Sequence, residues 1–166
     1  SGVEDVLKAA LNDDTFALIL PKIKTDKTKE RQRLVLLKVI TNHPSDEVDA
    51  LIKEYAGNSK FPLLQMFAIS VLGDKKDAGA FDTIISALDS TLWEVRLSAI
   101  EALGKLGTDK AIQPLISAMK KENGRLRADF QKALKQLTGE DHGLNGDEWE
   151  QWFINKNNPN KPAQQI

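Results

Sequence analysis

Residues able to do chemistry are sparse in this chain of 166, which has two histidines and no cysteine. An aspartate stands seven positions before an arginine at Asp26…Arg33 and again at Asp89…Arg96. A guanidinium so placed can hold a ligand carboxylate or phosphate bidentately. At steps of 31 or 32 residues the same places hold Asn58…Gln65 and Lys120…Arg127. The joint change of acid and base to amides favours an internal pair that fixes a loop over a ligand site. Asp141-His-Gly-Leu-Asn-Gly146 begins like a calcium loop, which needs an oxygen ligand at its third position and an acid at its twelfth. Gly143 and Trp152 occupy those places. The stretch therefore reads as a turn leading to an N-cap at Asn145 or Asp147, with Asp147 and Glu148 at the favourable end of a helix dipole. Gly57-Asn-Ser59-Lys-Phe61 comes within one residue of a nucleophile elbow, with His142 downstream, but the elbow requires a preceding strand. Here a helix is expected to end at Gly57 and Ser59 to cap the next. His43, before Pro44, reads as a solvated residue at a helix end. Two histidines 99 positions apart, with no cysteine, make no transition-metal motif. No catalytic residue, metal ligand or cofactor is expected, and the chain reads as non-enzymatic.

The aromatic residues give two further candidates. Trp149 and Trp152 share one helical face with Phe153 and could stack on a base or sugar. The preferred reading is a cap over the last apolar face, as the end of a repeat array requires. Trp93 sits at a helix start outside the apolar columns and is a candidate exposed contact.

The elements that must position these residues are helices. Val95, Leu97, Ile100, Leu103 and Leu106 recur at three- and four-residue spacing, as do Ile112, Leu115, Ile116 and Met119. No long stretch alternates apolar and polar residues. The spacing predicts an all-α chain with an internal repeat. Val95 to Gly104 overlays Leu64 to Gly73 at an offset of 31, and Phe16, Val48, Phe81 and Ile112 follow at steps of 32, 33 and 31. Asp26, Ser45, Ser59 and Asp109 stand where N-caps are wanted, and Gly57, Gly73, Gly107 and Gly139 where helices should stop. Pro114 fits an early helical turn, whereas Pro21 predicts a kink or an early helix end. A short leading helix is expected over Val3 to Asn12, a repeat domain over residues 1–155, and a flexible tail over 156–166.

Composition narrows the function classes. Twenty-three Lys+Arg against 24 Asp+Glu leave a formal charge of −1, which argues against a dedicated nucleic-acid binder or a binder of anionic membranes. The longest uncharged run, Phe61 to Gly73, is 13 residues and too short to span a bilayer. A cysteine-free chain leaves the compartment open.

Asp89 to Gly107, followed by Ala111-Ile-Gln-Pro-Leu-Ile-Ser-Ala-Met119, resembles the HEAT-like repeats of the phycobilin-lyase type. The shared pattern is Asp-x-x-x-x-Val-Arg-x-x-Ala, then Ala-Leu-Gly, then Ala-x-x-Pro-Leu. The period of 31 to 33 is shorter than the usual HEAT length of about 40 to 47, which points to the shorter subtype. Leu137 to Trp152 is similar to a bacterial closing segment with a Thr-Gly, a glycine-containing loop and a Trp-x-x-Trp helix. The resemblance implies an α-α superhelix, a solenoid of about four to five helical hairpins whose second helices line the concave face. On that face the columns give Asp49, Asp82 and Gln113, then Lys53, Ser86 and Ser117, with Lys120 in a third, as candidate partner-binding residues. The expected function is a protein-interaction or scaffold module, monomeric, with another protein as partner and neither nucleic acid nor membrane insertion. The alternatives are a bilin-lyase-like auxiliary protein holding a chromophore or small ligand in the groove and, more remotely, a helical-repeat nucleic-acid repair protein.

Overall fold

A computed structural model describes Gly2, Asp5 and residues 9–158. The leading helix expected over Val3 to Asn12 lies largely outside the described residues, as does the tail beyond Asn158. Nine α-helices lie wholly within them: α1 (Asp13–Lys24), α2 (Glu30–Ile40), α3 (Asp46–Ala56), α4 (Pro62–Asp74), α5 (Phe81–Ala87), α6 (Trp93–Leu106), α7 (Ile112–Lys121), α8 (Arg127–Thr138) and α9 (Gly146–Asn157). Single 3-10 turns, Ala78–Ala80 and Asp109–Ala111, lead into α5 and α7. There is no strand among the described residues, so the fold is the expected all-α helical repeat.

The helix boundaries follow from the local chemistry of caps. Asn12 and Thr15 form a reciprocal capping box on α1, with Asn12 Oδ1 accepting from the Thr15 N–H at 2.9 Å. Ser45 caps α3 by accepting from the Glu47 N–H. Gly107 and Gly139 end α6 and α8 at φ 71° and 76°, a left-handed conformation that favours glycine. Other expectations need correcting. Ser59 caps nothing, because α4 starts at Pro62, whose missing N–H costs little in a first turn. Asp109 lies inside the 3-10 turn, after Thr108 as its cap. Lys29 precedes α2 in the place expected for Asp26. Pro21 neither ends nor shortens α1, which runs on to Lys24. The last helix runs from Gly146 to Asn157.

The chain divides into two compact units, Ser1–Leu72 and Gly73–Ile166. In the first, α1 packs on α2, and Ile23, Leu37, Ile40, Val48 and Ile52 form a core at or near zero exposure. Tyr55 donates its hydroxyl to the Ile23 carbonyl near the end of α1. Burial pushes that phenol above its ordinary value. In the second unit α5 packs on α6, and α8 packs on both α6 and α7. Ile84, Ile100, Leu103, Leu115 and Leu134 are fully buried there. Each such burial is worth about 1.5–3 kcal/mol against an exposed side chain.

Gly73 was expected to stop a helix but lies one residue inside the end of α4. Its function is close approach. A Cβ there would come within 2.7 Å of Ala102 Cα and Cβ. Gly104 repeats the contact 31 residues later, where a Cβ would stand 3.4 Å from Ala133 Cα. Pairing a glycine with an alanine allows a close backbone approach at each of these two points.

Candidate functional site

The arginine column is a set of loop ties. Arg33 is buried and donates from Nε to Thr28 O at 2.8 Å and from Nη2 to Thr25 O at 2.6 Å. Gln65 donates to Ala56 O at 3.2 Å. Arg96 donates to Ser90 O at 2.9 Å, and Arg127 to Glu122 O at 3.0 Å. Each member, from the first or second turn of its helix, satisfies a carbonyl just upstream. This suits glutamine as well as arginine, since a carbonyl needs only an N–H. The acid is secondary. Asp26 lies 3.5 Å from Arg33 and is 94% exposed. Asp89 stands 3.9 Å from Lys121, whereas Arg96 meets the partly buried Glu122 at 3.2 Å. The carboxylate that matters to Arg96 therefore follows it by 26 positions, beyond any local spacing rule.

The expected face residues form separate local groups. In the first unit Asp49 and Lys53 are exposed, and neither is without a partner. In the second, the Ser86 hydroxyl donates to Asp82 O at 2.9 Å, and Gln113 Nε2 donates to the Ser117 hydroxyl at 3.4 Å. Asp82, Ser86 and Gln113 are exposed and Ser117 is half-buried. Lys120 differs: its ammonium meets Asp147 at 3.1 Å and also Glu150, both in the first turns of α9. The Glu150 hydrogen bond, with that of Asp147, raises the lysine above its ordinary value.

Lys120, near the end of α7, lies against the start of α9. Gly146 lies so near Lys120 that a Cβ would meet its Cγ at 2.7 Å and its backbone N at 3.1 Å. Helix α9 thus starts against the end of α7, on which it packs. Trp149 is fully buried and donates from Nε1 to Gly143 O at 2.9 Å. His142 meets Trp149 edge-on at 4.9 Å, and Trp152 lies 5.3 Å from the same imidazole. Asn145 caps α9 by accepting from the Asp147 N–H. The stretch that begins like a calcium loop is organised by hydrogen bonds. Asp141 accepts from Lys135 Nζ at 2.7 Å, Gln131 Nε2 at 2.6 Å and the Gly143 N–H at 3.1 Å. Those donors, Lys135 first, hold its carboxyl well below the usual carboxylate range.

Two aromatic expectations change. Trp93 is half-buried, and the Arg125 guanidinium lies 4.3 Å over its ring, so a partner would meet the stacked pair. His43 is not solvated: its side chain is 15% exposed and stacks on Phe16 at 4.0 Å with 2° between the rings. The turn before Pro44 folds the imidazole back over α1, where Nε2 reaches Asp13 at 3.2 Å. Among the described residues no group of three or more His, Asp or Glu is arranged to hold a metal, and no helix is long and apolar enough to cross a membrane.

One feature escaped the composition. Lys22 to Arg33 carries six basic residues and two acids in twelve positions. The overall charge balance hides this, and a local charge count would have found it.

A family model described as HEAT repeats matches residues 48–135, just over half of the chain. Neither the curated proteins nor the solved structures give a match.

Proposed function

Because the chain belongs to the HEAT-repeat family, we propose that it is a non-enzymatic interaction module that binds another protein through side chains on its second helices. Stacked helical repeats offer extended binding surfaces without any catalytic group. The observation that carries the reading is on α5 and α7. Asp82, Ser86 and Gln113 stand exposed at repeat-related positions, and the hydrogen bonds of Ser86 and Gln113 stay within their own helices. Such side chains can turn to a partner without unfolding a loop or breaking a buried pair. Lys120 is removed from the proposed face, because its ammonium ties α7 to α9. The period of 31 to 33 supports the short, phycobilin-lyase-type subset of HEAT repeats, and the closing Trp149 helix fits the end of such an array. The module acts as a monomer.

Capture from a native lysate tests the reading, with the parent protein set against an Asp82→Lys/Gln113→Lys variant. A partner retained by the parent and lost by the variant is expected. Titration with bilins and with duplex DNA completes the experiment. An absorbance change or retarded DNA, with no protein captured, would replace the interaction reading with a chromophore or nucleic-acid reading.

A further inference from the structure

The first unit carries a cleft of about 550 Å³, lined by Lys22, Thr28, Arg31, Gln32, Val35 and Leu36. We propose that this cleft is a docking site for a short acidic amphipathic helix of a protein partner. The proposal rests on the interaction reading and adds to it a site and a partner chemistry.

Helix α1 supplies Lys22 to the lining and α2 supplies Arg31, Gln32, Val35 and Leu36. Leu18 and Lys22 are four residues apart on α1, and Arg31 and Val35 four apart on α2, so each pair shares one face of its helix. Val35, in the lining, is 38% exposed, and Leu18, one turn before Lys22, is 67% exposed, so each helix carries an uncovered apolar side chain. The basic member of each pair stands at the end nearer the connecting loop. There the lysine and arginine stems add apolar surface while their charged heads reach water.

The charge is not neutralised from within. Lys22, Lys24, Lys27, Lys29 and Arg31 are all exposed, and none makes an ion pair among the described residues. The two acids of the segment offset only part of its charge. Asp26 faces Arg33, and Glu30 accepts the Leu63 N–H at 2.7 Å. Arg33 is buried on its carbonyls and adds nothing to the surface. Two of these cations, Lys22 and Arg31, line the cleft, and the other three follow in the same segment, on a chain whose net charge is −1.

That pairing selects among polyanions. A nucleic acid or an anionic lipid surface asks for cations spread over a face that reaches phosphates. A concave apolar floor between two helices asks for side chains inserted from a partner helix. Leucine-type anchors would pack over Val35 and Leu36, with partner carboxylates beside Lys22 and Arg31. The cations speed encounter and set the salt dependence, while the anchors slow release.

The probe is a fluorescein-labelled synthetic peptide of about 15 residues, with Leu at i, i+3, i+4 and i+7 and Glu at most other places. The full chain should bind it saturably, and binding should weaken as salt rises. Lys22→Glu/Arg31→Glu and, separately, Val35→Asp should each weaken it at least about tenfold. Lys110→Glu, in the second unit, should not. Circular dichroism checks that each variant is folded, and these exposed positions make that the expected result. No binding, or binding that both variants retain, overturns the site. Equal variant-sensitive binding of single-stranded RNA, or of phosphatidylserine vesicles, would assign the cations to phosphate. A dimer in gel filtration that Val35→Asp abolishes would give the cleft to a second copy. The lysate capture separates the two levels. A partner retained by Lys22→Glu/Arg31→Glu overturns this site and leaves the interaction reading standing, whereas a parent protein that captures nothing overturns the reading itself.

Discussion

An arginine that donates to a backbone carbonyl stabilises a loop at any salt concentration, whereas one paired with an exposed carboxylate is screened. Arg96 is of the first kind, with Ser90 O as one acceptor and a Glu122 side chain only 12% exposed as the other. Arg96→Ala should therefore cost about 1.5–3 kcal/mol, because it strands a partly buried acid as well as a carbonyl. Thermal unfolding checks this, at about 2–4 °C per kcal/mol for a chain of this size. Asp89→Asn should leave the melting temperature unchanged. The column of arginines was legible from its spacing, but its acceptors were not. Asp89 is near in sequence, whereas Glu122 comes close only through the fold. Asp141 gives the pH dependence of this scale. Its carboxyl is held below the ordinary value of 3.8, so its stabilising effect is complete above that pH and is lost as the pH falls below it. Melting temperatures taken from about pH 5 down to about pH 2 should fall more steeply in the parent than in Asp141→Asn.

Helices in this chain are set by their ends and by how closely their axes approach. The apolar stripes disclosed the helices themselves, and Ser45, Gly57, Gly107 and Gly139 disclosed four of their ends. Gly73 was misread because a glycine near a helix terminus has two distinct uses. One is a left-handed cap. The other is a backbone contact, which depends on a residue 29 positions away. The two uses predict different mutational behaviour. Helix propensity alone would reward Gly73→Ala by about 0.5–1 kcal/mol. The overlap at 2.7 Å is with the backbone and Cβ of Ala102, which cannot swing aside. We expect overpacking to win, for a net loss of about 1–3 kcal/mol. Gly124→Ala is the control: a Cβ there has nothing within 4 Å, so the change should be neutral or stabilising by about 0.4–1 kcal/mol. Urea denaturation of the pair decides it.

At the scale of the whole molecule, each unit is built of helices that bury one another's faces, and in the second unit α7 leaves a place for one more. Helix α9 fills that place against α7 through the fully buried Trp149 and the Lys120 bridges to Asp147 and Glu150. Truncating Trp149 to Ala should cost about 3–5 kcal/mol. The loss should be local first, with amide exchange accelerating after Gly124 while residues 26–73 stay protected. Uniform acceleration would mean one cooperative unit. The Trp-x-x-Trp spacing pointed to a helix with an aromatic face but not to its seat, since the approach of Gly146 to Lys120 has no signature in either residue alone. The placing of the aromatic residues has a spectroscopic consequence. Trp93, Trp149 and Trp152 all belong to the second unit, while the single tyrosine, Tyr55, belongs to the first. Light absorbed by indole therefore reports on residues 73–166 alone, and far-ultraviolet dichroism on both units. The native chain carries its own optical label on one half, and two melting curves recorded on one unmodified sample are enough to tell whether its halves let go together.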